Sequence, residues 1–222
     1  MNAVHVSVAQ NPPLHDSDDK VFTTRDAVIV LDGASAHAPV PVSPSTYADT
    51  LGGHLRDRLD GDSGVDLADA LADAITAATI QLSLTTGRSP SSTVTILRHR
   101  DEHVDVLMLG DNLVVLPGRT ITDPRLRHLD IPERRQYKQR LAAGTGFDDI
   151  HRGLLVALQR QQAARRNRPG GYWIAETDPA AAYQAIAPPS PSSRFRGRSW
   201  RRTAPTHPRS TWASPTGPPS AR

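Results

Sequence analysis

The sequence has no cysteine, which excludes a disulfide framework, thiolate catalysis and cysteine-bound metals. It also has no run of about 18 apolar residues, so no transmembrane helix is expected. The N-terminus, Met1-Asn2-Ala3-Val4-His5, lacks the basic-then-apolar pattern of a secretion signal. Lys20 and Lys138 are the only lysines among 26 basic residues. At 222 residues the chain has room for one ordinary domain with a real core. A soluble, cytoplasmic protein is the expectation.

Residues 187–222 lack even more. They contain no Leu, Ile, Val, Lys, Asp or Glu, and are built largely from eight Pro, seven Ser and seven Arg. Such a segment cannot bury enough apolar area to offset chain entropy, and a disordered tail is expected. The tail also distorts the charge balance. The other 19 basic residues are outnumbered by the 23 acidic ones, none of which lies in the tail. The basic pI of 9.7 therefore reports the tail. A nucleic-acid footprint belongs on a folded face, so nucleic acid is an unfavoured partner.

Residues 1–186 do carry structural grammar. Val4, Val6 and Val8 alternate with His5 and Ser7, as in a half-buried strand. Lys20–Thr24 reads as a short strand and Ala27–Leu31 as a buried one. Ser45 or Thr46 is placed to cap a helix with Tyr47, Leu51, His54, Leu55 and Leu59 on one face. Asp66 opens a second helix, running to about Leu84, with Leu67, Leu71, Ala74, Ile75, Ala78 and Leu82 at helical spacing. Strands follow at Thr93–Arg98, Val104–Leu109 and Leu113–Leu116, with Pro117-Gly118 closing a meander. Ile131–Ala143 and Phe147–Arg166 read as a second pair of helices, the latter burying Ile150, Leu154, Leu155, Ala157 and Leu158. Gly170–Glu176 reads as a short strand or hinge, and Asp178-Pro179 starts a last helix. Sheet, helix pair, sheet is the order of an α+β fold with antiparallel pairing.

The chemistry-bearing stretch is Asp26–Ser35. Its apolar run ends in Asp32-Gly33, which delivers a carboxylate at a strand end, where loops build sites. Gly33 permits close backbone approach. Upstream lies an acidic loop with Asp16, Asp18 and Asp19. Two more landmarks follow in order: Ser91-Ser92-Thr93 entering a strand, and Gly110-Asp111-Asn112 ending one. A haloacid-dehalogenase-type phosphatase needs a second Asp two residues from the first, and those positions here are Val30 and Ala34.

This order of landmarks resembles the metal-dependent serine/threonine phosphatases of the protein phosphatase 2C family, especially compact bacterial members. Asn167-Arg168-Pro169-Gly170-Gly171-Tyr172-Trp173 also looks like a segment of those members. The likeness covers roughly residues 4–186. It implies an αββα sandwich of two antiparallel sheets flanked by helix pairs, a site for two Mn²⁺ or Mg²⁺ ions and a phosphoprotein substrate. Asp32 matches the metal-bridging aspartate and Gly33 the glycine whose carbonyl is a ligand. Asp18-Asp19 matches an acidic pair, one of which holds a metal through water. Asp111 matches an aspartate associated with a third, weaker metal. Hard divalent ions suit such oxygen donors. Two of them about 4 Å apart can activate a water for attack on phosphorus.

The sequence also departs from that pattern. Ala34-Ser35 stands where a His often follows the Asp-Gly, and His37, close by, matches no motif. No phosphate-binding Arg is assigned. A late Ser-Asp-Gly strand end and a final Asp-Asn, both metal-binding in the family, have no counterpart before the tail. The expectation is a partial domain, residues 1–186, with an incomplete C-terminal part and impaired activity. Arginine-rich composition suits a GC-rich gene whose shifted frame gives a Pro/Ser/Arg tail; a genuine basic tail is the other reading. Two non-enzymatic functions stay open: a phosphatase-like module that binds a phosphoprotein without hydrolysing it, and a nucleic-acid binder with Trp200 and Trp212 as stacking groups. The remaining features read as structural. His99 and His103 flank a hairpin, and His5, His54, His128 and His151 are isolated. Arg165–Arg168 suits a helix C-terminus, and Tyr172-Trp173 suits packing.

Overall fold

The computed structural model describes residues 5–10, 17–34, 39–100, 103–145 and 148–189, with the backbone of 199–200. Four strands form one antiparallel sheet in the order β1 (Lys20–Thr23), β2 (Ala27–Gly33), β3 (Ser92–Arg100) and β4 (His103–Leu109). A second antiparallel sheet has β5 (Leu113–Leu116) at its centre, β6 (Arg119–Thr122) on one side and β7 (Ser199–Trp200) on the other. The fold is α+β, with two antiparallel sheets and helices around them.

The large sheet is buried on both faces, and strand alternation divides its side chains between two cores. Leu107 and Leu109 of β4 join Ile29 and Leu31 of β2 and Val94 and Ile96 of β3 on the helix side. Val104, Val106 and Met108 point the other way, where they meet Val114, Leu116 and Ile121 of the small sheet.

The helix side is covered by α1 (Pro44–Gly61) and α2 (Leu67–Gln81), which pack on each other. Tyr47, Leu51, Leu55 and Leu59 are the buried stripe of α1, as their spacing predicts, whereas His54 stays partly exposed and meets Gln81 at 2.6 Å. The cap lies earlier than expected. Pro44 occupies the first turn and Ser43 Oγ accepts from the Thr46 amide at 3.0 Å, because proline needs no donor partner there. Asp66 caps α2 as expected, but the helix stops at Gln81, where the chain turns through Ser83 at φ 50°. Arg98, only 3% exposed, joins the sheet to the α1–α2 connection: it donates to Val65 O at 2.7 Å and pairs with Asp105 at 3.0 Å.

Several expectations need correction. Residues 5–10 form no strand and Val8 is exposed, because no neighbouring strand pairs with them; Val4 lies outside the described residues. Strand β6 and a one-turn helix α3 (Arg125–His128) were not expected. Helices α4 (Pro132–Ala142) and α5 (Asp149–Ala163) form the second pair, packed on each other. Yet Ile150 of α5 is 62% exposed and the fully buried residue is His151, whose ring lies 4.5 Å from that of Tyr137. The rest of the expected apolar face of α5, Leu154, Leu155, Ala157 and Leu158, is only half-buried. The last helix is a 3₁₀ segment, Pro179–Gln184, capped by Asp178 and packed on α2. Beyond it Ile186 bridges to Met108, and most of the expected tail lies outside the described residues.

Among the described residues no helix is long and apolar enough to cross a membrane.

Candidate functional site

The register of the large sheet brings the three sequence landmarks together. Asp32 and Gly33, the last residues of β2, lie opposite Thr93 and Ser92, the first of β3. The Asp32 amide donates to Thr93 Oγ1 at 3.3 Å, and Thr93 Oγ1 donates to Asn112 Oδ1 at 2.9 Å. Asn112 Nδ2 in turn donates to Thr95 Oγ1 at 2.9 Å. A chain of side-chain hydrogen bonds thus runs from the end of β2, across β3, into the turn that follows β4. Gly110 takes φ 94° in that turn, and a β-carbon there would meet Thr93 Cγ2 at 2.7 Å. Only glycine fits both demands.

Asp32 and Asp111 both line one cleft of about 380 Å³. It is also lined by Arg160, Arg166 and Tyr172, from the end of α5 and the loop after it, and by Arg88 and Ser89 from the loop before β3. Asp111 is open to the cleft, and its carboxyl is held above the usual range. Desolvation is the main cause and Asp123 adds to it, while its own backbone amide and Arg134 act the other way. Arg134 also donates to Leu126 O of α3 at 2.7 Å.

The other sequence-predicted residues lie behind this pair. The Gly33 amide donates to Asp18 O at 3.3 Å, and a β-carbon on Gly33 would meet that oxygen at 2.6 Å, so the two segments touch through their backbones. Asp19 is buried; its amide donates to Ser17 Oγ at 3.0 Å and its carbonyl accepts from Gln10 Nε2 at 3.3 Å. Neither Asp18, Asp19 nor Gly33 is part of the cleft lining. His37 lies outside the described residues.

The carboxylate oxygens of Asp32 and Asp111 are suitable donors for Mn²⁺ or Mg²⁺. Among the described residues, however, no three His, Asp or Glu side chains gather as a metal site would require.

Sequence reasoning missed the basic wall. Arg166 is largely buried, its side chain 19% exposed, and its Nη1 pairs with Glu176 Oε1 at 3.1 Å. Its Nε donates to Tyr172 OH at 3.4 Å. Glu176 is itself buried, and its carbonyl accepts from the hydroxyl of Tyr47 in the α1 core. The loop between is folded tightly: Asn167 takes φ 49°, its amide donates to Tyr172 O at 2.8 Å, and its Oδ1 accepts from the Ile174 amide at 2.9 Å. Arg166 and Tyr172 are therefore set by the Asn167–Trp173 segment, the stretch singled out in the sequence for its resemblance. Its glycines signal a specialised turn; nothing in their spacing reveals which side chains the turn aims into a cleft.

No family model matches the chain, and no curated protein matches it. Among solved structures it is similar to the PPM Ser-Thr phosphatase MsPP from Mycobacterium smegmatis, in complex with cacodylate, at 17% identity and a TM-score of 0.43. That match covers 60% of this chain and 62% of the other, so the chain spans less than two thirds of that relative. It is also similar to the serine/threonine phosphatase PstP/Ppp of Mycobacterium tuberculosis, at 12% identity and a TM-score of 0.43, over 87% of this chain and 72% of that one. The catalytic domain of PstP in complex with 2 manganese ions gives 12% identity and a TM-score of 0.42, over 87% and 71%.

Proposed function

We infer that this chain is a protein serine/threonine phosphatase-like domain whose cleft takes phosphoserine or phosphothreonine of a protein, with metal-dependent hydrolysis impaired. The observation that carries this reading is the arrangement of Asp32 and Asp111. One lies at the end of β2 and the other in the turn after β4, yet one cleft receives both, alongside Arg88, Arg160 and Arg166. Carboxylates and arginines lining one cleft suit a phosphorylated ligand and a divalent ion together. Asp32, the Gly33 carbonyl and Asp111, with Asp18 or Asp19 through water, are the groups proposed to contact Mn²⁺ or Mg²⁺. The shortage of converging carboxylates is the reason to expect weak binding, and it favours a second reading, a module that holds a phosphoprotein without hydrolysing it.

Mn²⁺ titration of the full chain, followed by phosphate release from phosphoserine and phosphothreonine peptides, tests both. Slow, Mn²⁺-dependent release that Asp32→Asn abolishes is expected. Peptide retention with no release at saturating Mn²⁺ would leave the binding module. Rapid turnover would overturn the impairment, and neither binding nor release would remove the phosphatase-like reading altogether.

A further inference from the structure

We propose that Arg166 is the anion anchor of the cleft, the residue that grips the phosphoryl oxygens of the bound ligand. The proposal rests on the phosphoprotein reading above and assigns it a specificity-determining residue. Three observations carry it.

The first is the state of the guanidinium. It is mostly withdrawn from water yet belongs to the cleft lining together with Asp32 and Asp111. A buried cation is costly unless paired, and Glu176 supplies the pair at 3.1 Å. That pair accounts for Nη1, and Tyr172 for Nε. The remaining nitrogen, Nη2, makes no hydrogen bond within the described residues, although a guanidinium carries five N–H donors. Unused donors on a buried, immobilised fork that borders a cavity are what a charged oxygen ligand requires.

The second is rigidity. Long cationic side chains on a surface lose rotamer freedom when they grip a ligand. Arg166 has already lost it. Its Cα lies where α5 gives way to the Asn167–Trp173 turn, and that turn pairs Arg166 with Tyr172 in a backbone bridge. Gly171 packs against Arg165 O so closely that a β-carbon has no place. The anchor is therefore held from three sides, by Glu176, Tyr172 and its own backbone.

The third is the charge of the cleft. Arg88 and Arg160 line the same space and pair with no acid among the described residues, so they add positive potential without competing for Glu176. A phosphorylated side chain carries about −1.5 to −2 charges near pH 7 and three acceptor oxygens, more than a single carboxylate offers. The cleft's two carboxylates repel such a ligand, so a fixed cation in the same lining sets where the phosphoryl group sits.

Inorganic phosphate is the probe, titrated into the full chain without added metal and followed by calorimetry or ³¹P line width. Wild type is expected to bind it in the millimolar range. Arg166→Gln should weaken it at least about tenfold, the loss of a charge-assisted hydrogen bond. Arg166→Lys should fall between, since a lysine lacks the fork. Arg152→Gln, a change of equal charge on the exposed side of α5, should leave affinity unchanged. If Arg166→Gln unfolds because Glu176 is stranded, the double variant Arg166→Gln/Glu176→Gln removes both charges and should again bind phosphate about tenfold more weakly.

Phosphate affinity equal to wild type in a folded Arg166 variant would overturn the proposal, as would a wild type blind to millimolar phosphate. The enzyme reading fails separately: phosphate bound through Arg166 with no Mn²⁺-dependent release keeps the anchor and discards the hydrolase. Release with an unchanged KM in Arg166→Gln does the reverse.

Discussion

Asn112 is clamped to Thr93. The Asn112 side-chain oxygen accepts from Thr93 Oγ1 at 2.9 Å in a buried setting, and the same Thr93 oxygen accepts from the Asp32 amide. One hydroxyl therefore ties the turn carrying Asp111 to the strand carrying Asp32. Asn112→Leu fills the same volume but strands the hydroxyls of Thr93 and Thr95. We expect a loss of about 2 kcal/mol, read as a fall in Tm of roughly 4–8 °C for a chain of this size.

Arg98 and Asp105 make a second buried connection, remote from the cleft. Arg98 also donates to two backbone carbonyls, Ser63 O at 3.2 Å and Val65 O at 2.7 Å. Arg98→Met removes the cation, leaving Asp105 with Arg100 at 3.7 Å and both carbonyls short of a donor. A cost of about 1–3 kcal/mol is expected, chiefly from the buried Val65 carbonyl left without its donor. Urea unfolding checks it; a midpoint equal to wild type would show the α1–α2 connection holding without Arg98.

Gly171→Ala tests the turn that sets Arg166. A methyl group there meets Arg165 O, a backbone atom that no rotamer change can move. The variant is expected to lose more than about 1 kcal/mol and to bind inorganic phosphate more weakly than wild type. Retained affinity with lowered Tm would mean that Arg166 keeps its place through Glu176 alone.

The raised pKa of Asp111 gives a pH dependence with a definite sign. Desolvation, its main cause, penalises the ionised form in the folded chain. The stability tied to this group is therefore fully present below the unfolded carboxylate value of about 3.9. It is lost as pH rises through the folded value. Without added divalent metal, Asp111→Asn should raise Tm at pH 7 relative to wild type, and the gain should vanish below about pH 4. A variant less stable than wild type at pH 7 would contradict this.

Elements whose apolar pattern faces a large partner could be read directly from the sequence. Leu51, Leu55 and Leu59 form the stripe of α1, and the run Ala27–Leu31 lies in the sheet's centre. The positions of Asp32 and Asp111 at strand ends were legible for the same reason. The pattern misled at α5, where Ile150 points to solvent, because spacing specifies a stripe and not what covers it. It was silent on β6, whose Arg119-Thr120-Ile121-Thr122 offers one buried apolar residue. Arg166 was read as a helix-end charge because local sequence cannot show that Glu176, ten positions on, comes back to meet it.

The two walls of the cleft differ in make. Asp32 stands on β2 and Asp111 in the turn after β4, two strands whose other residues fill the cores, so moving them disturbs the whole domain. Helix α5 has one fully buried residue, His151, and contributes Arg160 and the approach to Arg166 from a surface that is half-exposed. Substitutions on that wall can retune the charge and width of the cleft at little cost to folding. Ligand preference can thus drift through α5 while the sheet stays as it is.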